Sequence, residues 1–224
     1  MKNINEIKRR GFNWFLLPIE KLQSLPKNKK YKLLDVGAQS HVIKGYLPSN
    51  IIYYTLDYSN EHGKKNTFIH NLDKFPIPIK DNRYDIIQCS ETLEHTMYPH
   101  KVMKELIRIA KPNALFLISL PNEYSIIMRI YYLLGIKKST SPPFTIVEEH
   151  QHIHTLRKKD ILEFYNKYLN IEKIKYTFCF NEDGLFKKRG LRTLNFIFNF
   201  LSPIIPSLFA RTVGVVGTIK EIEK

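Results

Sequence analysis

The run Leu33-Leu34-Asp35-Val36-Gly37-Ala38 constrains the fold of this chain most, because it is typical of a buried strand that enters a tight glycine turn. A second apolar strand, Ile52–Leu56, ends on Asp57, about 20 residues after the glycine. A strand, a glycine turn, a crossover and a second strand that closes on an acid form the nucleoside-binding half of a doubly wound sheet. In that unit the acid accepts hydrogen bonds from ribose hydroxyls. The sequence therefore predicts a nucleoside-bearing cofactor.

The glycine turn indicates which cofactor is expected. Its sequence, Gly37-Ala38-Gln39-Ser40-His41-Val42, keeps only the first glycine of the G-x-G-x-x-G pattern. Dinucleotides need the later glycines, since these let the backbone approach a pyrophosphate. S-adenosyl-L-methionine carries no phosphate, and backbone N–H groups at a helix start can face its carboxylate. A methyl donor is therefore favoured over a nicotinamide.

Apolar strands and amphipathic helices alternate along the chain. The predicted strands are Lys32–Val36, Ile52–Leu56, Thr67–His70, Tyr84–Ser90, Ala114–Leu120, Ile171–Phe180 and Gly214–Lys220. The predicted helices are Ile4–Leu25, broken around Pro18, then Pro99–Ala110, Tyr124–Leu134 and Lys159–Lys167. This alternation predicts an α/β fold: a doubly wound, mostly parallel, seven-stranded Rossmann-like sheet with helices on both faces and a helical lid insertion.

The length of 224 residues predicts a single domain, 1–224, with three appended segments. Residues 1–30 form an N-terminal helical extension, and 122–150 form the lid insertion, above the strand ends where ligands bind in open sheets. Residues 185–210 form a basic and aromatic helical segment. A basic amphipathic helix on a membrane surface has this composition, but so does an ordinary helix that packs on the core, and packing is the favoured interpretation.

The chain is strongly basic, with 35 Lys and Arg against 21 Asp and Glu and a formal charge of +14. This charge attracts phosphates, nucleic acids or anionic lipids, although a lysine-rich solvated surface explains it equally well. Cys89 and Cys179 form no C-x-x-C pair, which favours a reducing, cytoplasmic location. Neither a secretory signal nor an apolar stretch of about 20 residues is found, so any membrane contact is expected to be peripheral.

Three motifs follow one another in the middle of the chain. They are Asp81-Asn82-Arg83-Tyr84-Asp85, then Cys89-Ser90-Glu91-Thr92-Leu93-Glu94-His95, then Lys111-Pro112-Asn113-Ala114-Leu115. In this order the chain resembles the class I S-adenosylmethionine-dependent methyltransferases, in particular the broad group that shares D-N-x-[FY]-D, S-E-x-L-E-H and K-P-G-G-x-L. The resemblance covers residues 32–121 well and residues 150–167 more loosely.

The resemblance implies a set of cofactor-binding residues at the strand ends. The first motif shapes the pocket for the methionine part, an acid binds the ribose, an Asp-Leu pair, here Asn-Leu, contacts the adenine, and the end of the fourth strand lies beside the sulfonium and the acceptor. In this chain the implied residues are Asp35, Gly37, Ala38, Gln39, Asp57, Tyr58, Asn71, Leu72, Ser90 and Glu91.

Histidines are the candidate catalytic residues. Methyl transfer to a hydroxyl benefits from a base, and the pKa of histidine suits that task. The candidates are His95, which closes the L-E-H motif, and His152 and His154 of the run Glu149-His150-Gln151-His152-Ile153-His154. The alternating histidines also fit metal ligands or plain loop polarity. No further acid or cysteine cluster is spaced to complete a site, so no metal is predicted.

The function that follows is methyl transfer from S-adenosyl-L-methionine to a hydroxyl of a small-molecule, saccharide or lipid-linked acceptor. An RNA or tRNA methyltransferase is the alternative among enzymes. The charge supports it, but the fourth strand ends in Cys89-Ser90-Glu91-Thr92 instead of an N-P-P-[YF] motif. A non-catalytic binding protein with this fold is the second alternative, because Gln39-Ser40 replaces the usual Gly-x-Gly continuation.

Overall fold

A computed structural model describes residues 13–38, 42–59, 66–135, 152–178 and 190–220. Its strands are β1 (Tyr31–Val36), β2 (Ile51–Asp57), β3 (Thr67–Ile69), β4 (Tyr84–Ser90), β5 (Ala110–Pro121), β6 (Leu169–Thr177) and β7 (Thr212–Ile219). Its α-helices are α1 (Leu16–Gln23), α2 (Pro99–Ile109), α3 (Ile126–Leu133), α4 (Lys158–Tyr168), α5 (Gly190–Leu201) and α6 (Pro206–Phe209). Short 3₁₀ helices span Asn13–Phe15, Val42–Tyr46 and Leu93–His95.

The strands form one seven-stranded sheet in the order β3-β2-β1-β4-β5-β7-β6. The five strands from β3 to β5 are mutually parallel, whereas β7 runs antiparallel to both β5 and β6. The carboxyl ends of the parallel strands therefore meet at one edge, which we call the carboxyl edge. Because β6 is parallel to β5, its end at Thr177 lies at this edge too, and so does the start of β7.

Each face of the sheet is covered by helices, which confirms the predicted doubly wound architecture. On one face, apolar residues such as Leu34 pack with buried residues of α2 and α4, among them Leu106 and Ile161. On the other face, residues such as Leu33 pack against α1, whose Ile19 and Leu22 are fully buried. Successive residues of β1 thus point to opposite faces, and both faces are apolar, as parallel sheets require.

The expectation that the first helix breaks at Pro18 is wrong. Pro18 lies within the first turn of α1, where the backbone N–H of any residue would lack an intrahelical acceptor. A proline therefore costs that turn no hydrogen bond. The rest of the predicted leading helix, residues 4–12, lies outside the described residues.

The two appended segments beyond β5 are described in part. Helix α3 lies within the predicted lid insertion, whereas residues 136–150 lie outside the described residues, so the lid stays a prediction. Phe198 in α5 packs on Phe178 and Phe209, as a packing helix would. Phe196 and Phe200 are exposed instead, so the packing interpretation is right for only one face. Within the described ranges, no helix combines the length and apolar character that a membrane crossing needs.

Candidate functional site

The glycine turn after β1 is locked against the motif that follows β4. Gly37 has φ of +67°, and its N–H donates to the carbonyl of Leu56 at 2.8 Å. A Cβ at this position would lie 2.4 Å from Oγ1 of Thr92 and 2.5 Å from its Cγ2. Thr92 is in turn within hydrogen-bond distance of the Val36 carbonyl. Backbone conformation and space both require glycine here.

Two acids lie in the adjacent strands at this edge. Asp57 ends β2 and accepts a hydrogen bond from the N–H of the exposed Tyr58 at 2.7 Å. Asp35 is buried in β1 and accepts a hydrogen bond from the hydroxyl of Tyr53 at 2.6 Å. Burial raises the pKa of Asp35 to about 7, and the charge of Asp57 acts in the same direction. The Asp35 carboxyl therefore changes its charge near neutral pH.

The loop after β3 is held to the loop after β4. The side-chain oxygen of Asn71 accepts a hydrogen bond from the N–H of Asp73 at 2.8 Å, and Leu72 packs against the core. The carboxylate of Asp73 then accepts hydrogen bonds from the N–H groups of Met97 and Tyr98. The Asn71-Leu72 pair is thereby fixed beside the end of the third strand.

The end of β4 carries an unusual backbone. The Ser90 hydroxyl accepts a hydrogen bond from the side chain of Gln88 at 2.6 Å. Glu91 follows with φ of +50°, and its N–H donates to the carbonyl of Ser119 in β5 at 3.0 Å. A non-glycine residue held in the left-handed region is costly, and such residues cluster at ligand sites.

These features fit the adenosyl donor that the sequence predicts. The carboxyl edge offers a turn that tolerates no side chain at Gly37, an acid at the end of β2, and a strained residue where β4 ends. Gln39 lies outside the described residues. The other predicted cofactor residues are all found at the ends of β1 to β4 or in the loops directly after them.

Beside this edge lies a second group, the histidine–glutamate cluster of Glu94, His95, Glu123 and His152. Nδ1 of His152 lies 2.6 Å from Oε1 of Glu123, a carboxylate that is 4% exposed as a residue. Oε1 of the fully buried Glu94 lies 3.9 Å from Nε2 of both His95 and His152. The two imidazole rings meet edge to face, with centroids 4.8 Å apart.

The structure separates the predicted catalytic histidines. His95 and His152 come together in the cluster, whereas Nε2 of His154 lies 2.9 Å from the carbonyl of Thr96. His154 instead lines a groove of about 610 Å³ with Leu93, Tyr98 and Phe164. His150 lies outside the described residues.

The cluster also offers a geometry for a metal ion. Glu94, His95 and His152 each place one ligand atom within 4.8 Å of the others, the one such group among the described residues. The absence of a metal site stays a prediction from sequence. That prediction considered only spacing along the sequence, whereas the fold brings Glu94 and Glu123 to His152 from distant segments.

Sequence reasoning missed Glu123 and Thr92. Glu123 stands two residues after the end of β5, and an acid just beyond a strand end is a recognisable signal in a parallel sheet. Thr92 gave no such signal, because its importance depends on contact with a turn more than fifty residues away in sequence.

Comparison with known families decides the identity of the fold. The chain matches the model of the methyltransferase domain family over residues 13–168, more than half of its length. The chain belongs to this family. Membership makes methyl transfer its activity and S-adenosyl-L-methionine its methyl donor, which confirms both predictions.

Solved structures agree with the fold at low sequence identity. A SAM-dependent methyltransferase from Archaeoglobus fulgidus is 16% identical, with 93% of this chain and 94% of that chain covered and a TM-score of 0.53. A SAM-dependent methyltransferase from Thermotoga maritima is 14% identical, with coverages of 97% and 96% and a TM-score of 0.55. A chain from the complex between the Haloferax volcanii Trm112 methyltransferase activator and a methyltransferase is 13% identical. The match covers 98% of this chain and 94% of that chain, with a TM-score of 0.58.

Proposed function

We propose that this methyltransferase methylates a hydroxyl oxygen and that His152, held by Glu123, removes the proton of that hydroxyl. The 2.6 Å contact between Nδ1 of His152 and Oε1 of Glu123 carries the proposal. An ionised carboxylate only accepts hydrogen bonds, so Nδ1 is the protonated nitrogen. Nε2 then carries the lone pair, which is the state a general base needs.

Glu94 supports this role through its charge. Its Oε1 lies 3.9 Å from Nε2 of both His152 and His95. When Nε2 of His152 takes a proton, the new imidazolium lies between two carboxylates, and both favour the charged ring. His95 shares the charge of Glu94, and we assign it to positioning the acceptor at the same carboxylate.

We assign the methyl donor to the carboxyl edge. The turn at Gly37, Ala38 and Gln39, with Asp35 below it, would hold the methionine part, and Asp57 with Tyr58 would hold the ribose. Asn71 and Leu72 would contact the adenine, and Ser90 and Glu91 would lie beside the reacting centre. S-adenosyl-L-methionine supplies a methyl group on a sulfonium, so alignment with the acceptor at about 3 Å provides most of the acceleration.

Calorimetric titration with S-adenosylhomocysteine tests the donor site. We expect binding by the unmodified protein, weaker binding by Asp57→Asn, and no binding of a nicotinamide dinucleotide. Glu172→Gln is the matched control, because this surface acid of β6 pairs only with Lys21 among the contacts described for it. Equal affinity of Asp57→Asn and Glu172→Gln would remove Asp57 from the ribose site.

Rate measurements test the base. Transfer of a labelled methyl group to a panel of hydroxyl acceptors would identify a substrate, and its pH–rate profile would then be recorded for His152→Gln. We expect the rate of methyl transfer to fall by about 10²–10⁴-fold and the acidic limb of the pH–rate profile to disappear. His100→Gln is the control, since its ring contacts Tyr168 and Phe164 and lines the groove of His154 instead of belonging to the cluster.

Three outcomes would change the assignment. Loss of activity in His154→Gln with full activity in His152→Gln would move the base to the groove. Loss of activity with a chelator, restored by a divalent cation, would give the role of His152 to a metal ion held by the cluster. A substrate found only among structured RNAs, with binding that weakens steeply with salt, would favour the RNA alternative.

A further inference from the structure

Helix α5 exposes a stripe of large apolar side chains. Phe196, Phe200 and Ile204 follow one another at a spacing of four residues and are 73%, 64% and 60% exposed. Residues at this spacing lie on one side of a helix and of the turn that continues it. Three such side chains in a row form a contiguous apolar surface rather than scattered exposed residues.

The asparagines in the last two turns of the same helix, and the serine just after it, lie on its packed side. The side-chain oxygen of Asn199 accepts a hydrogen bond from the N–H of Phe178, and its amide donates to the carbonyl of Phe178 at 2.8 Å. Ser202 is fully buried, with its hydroxyl at 2.9 Å from the carbonyl of Phe209. Surface helices of globular proteins normally place their polar side toward water. Apart from Phe198, the last two turns of α5 have the reverse arrangement.

A second apolar patch lies on α3. Leu133 is 85% exposed and Leu134 63% exposed, and Ile130 is also exposed. Helix α3 follows β5, and α5 and α6 connect β6 to β7, so both patches belong to connections at the carboxyl edge. The segments are joined there by Asn122, whose amide donates to the carbonyl of Ala210 at 2.8 Å.

The chain around both patches is basic and free of acids. No acid occurs between Glu123 and Glu148, a stretch that contains Arg129, Lys137 and Lys138. None occurs between Asp183 and Glu221, a stretch in which Lys187, Lys188 and Arg189 directly precede α5. Apolar helices in segments that are rich in Lys and Arg and free of acids have the composition of interfacial membrane anchors.

We propose that the α5 stripe and the α3 patch dock this methyltransferase on an anionic lipid bilayer, with Phe196 and Phe200 inserted among the acyl chains. Lipid is favoured over a second copy of this chain as the occupant. Each copy carries a formal charge of +14, so two such basic surfaces would repel each other, whereas anionic headgroups attract them.

This docking places the carboxyl edge next to the bilayer. It also narrows the acceptor, a step that rests on the function proposed above: a lipid-linked hydroxyl would reach the donor site from the membrane without crossing water. The docking itself depends on neither donor nor acceptor, so it is tested separately from catalysis.

Flotation with vesicles tests the docking. The full chain would be mixed with vesicles of phosphatidylcholine alone and with vesicles that contain 30% phosphatidylglycerol. We expect flotation with the anionic vesicles, weakened by added salt. Phe196→Ser/Phe200→Ser should lower the partition coefficient at least about tenfold. Ile52→Ser is the control, because Ile52 is 37% exposed near the start of β2, at the edge of the sheet opposite the carboxyl edge.

The outcomes separate the possible occupants. Equal flotation of the double variant and the control, or no flotation at all, would overturn the proposal. If the unmodified chain forms a dimer and binds no vesicles, and the double variant is a monomer, the surface belongs to a second copy instead. The thermal midpoint of each variant and its affinity for S-adenosylhomocysteine, compared with those of the unmodified chain, test whether the fold is kept. Failure of that affinity in the unmodified chain would count against the proposed function and leave the docking result standing.

Discussion

Substitution of Gly37 by alanine tests the lock between the turn after β1 and Thr92. Two costs are expected. The positive φ of +67° costs an L-residue about 1–2 kcal/mol. The new Cβ would also lie 2.4 Å and 2.5 Å from Oγ1 and Cγ2 of Thr92, and such overpacking adds about 1–3 kcal/mol. Gly37→Ala should therefore lower the free energy of unfolding by about 2–5 kcal/mol.

Gly135 provides a matched control for the first cost. Its φ is +63°, and a Cβ there would meet nothing within 4 Å. Gly135→Ala should therefore cost only the backbone part, about 1–2 kcal/mol. Thr92→Ala, which loses a hydroxyl near the carbonyl of Val36, should cost about 1 kcal/mol by itself.

The double variant Gly37→Ala/Thr92→Ala measures the clash directly. Because Thr92→Ala removes the two atoms nearest to the new Cβ, the double variant should be more stable than additivity predicts by about 1–3 kcal/mol. Urea unfolding at constant m-value gives the four free energies. The reasoning fails if the cycle is additive within about 0.5 kcal/mol, or if Gly37→Ala costs no more than Gly135→Ala.

Three further predictions concern single sites. The pKa of Asp35 rises on folding from 3.8 to about 7, so the folded state binds an extra proton between these two pH values. The free energy of unfolding therefore falls as the pH rises from 3.8 through 7. Asp35→Asn should reduce the change in the free energy of unfolding between pH 4 and pH 8 by at most about 4 kcal/mol, as measured with urea. Arg108→Lys should lower the thermal midpoint, since the guanidinium donates to two backbone carbonyls and to two carboxylates, a set that lysine cannot span. An unchanged midpoint would contradict this. Gly217→Ala should cost about 1–3 kcal/mol in urea, because its Cβ would lie 2.7 Å from the carbonyl of Asn170, whereas Gly214→Ala, with its nearest atom at 3.6 Å, should cost clearly less.

Much of the sheet could be predicted because its strands are short, continuous apolar runs. Strand β4 has the predicted bounds of Tyr84–Ser90. Strand β5 begins at Ala110, four residues before the predicted start, because Lys111-Pro112-Asn113 has the composition of a turn. The insertion of β7 between β5 and β6 gave no local signal, since the pairing of strands far apart in sequence is decided by tertiary contacts.

The candidate site could be predicted at the strand ends but not where it depends on contacts between distant segments. Glycine and acid positions such as Gly37 and Asp57 follow from local pattern. The contact of His152 with Glu123 joins the loop before α4 to the end of β5. The two residues are 29 positions apart in sequence, and no sequence motif predicts a contact at that separation. For residues 185–210, packing was favoured over the membrane-surface alternative because an apolar residue in a helix is usually buried. The sequence alone did not show that Phe196 is exposed.

The place of β7 in the sheet bears on how the chain is made. Among the residues that the structure describes, strand β6 pairs in the sheet with β7 alone, and β7 also pairs with β5. During synthesis, residues 169–177 therefore wait outside the sheet, with one strand edge open, until residues 212–219 have left the ribosome. An open edge invites pairing with other nascent chains, and long-range pairing is slow. Released chains that are truncated between β6 and β7 should accordingly aggregate more than the full chain does.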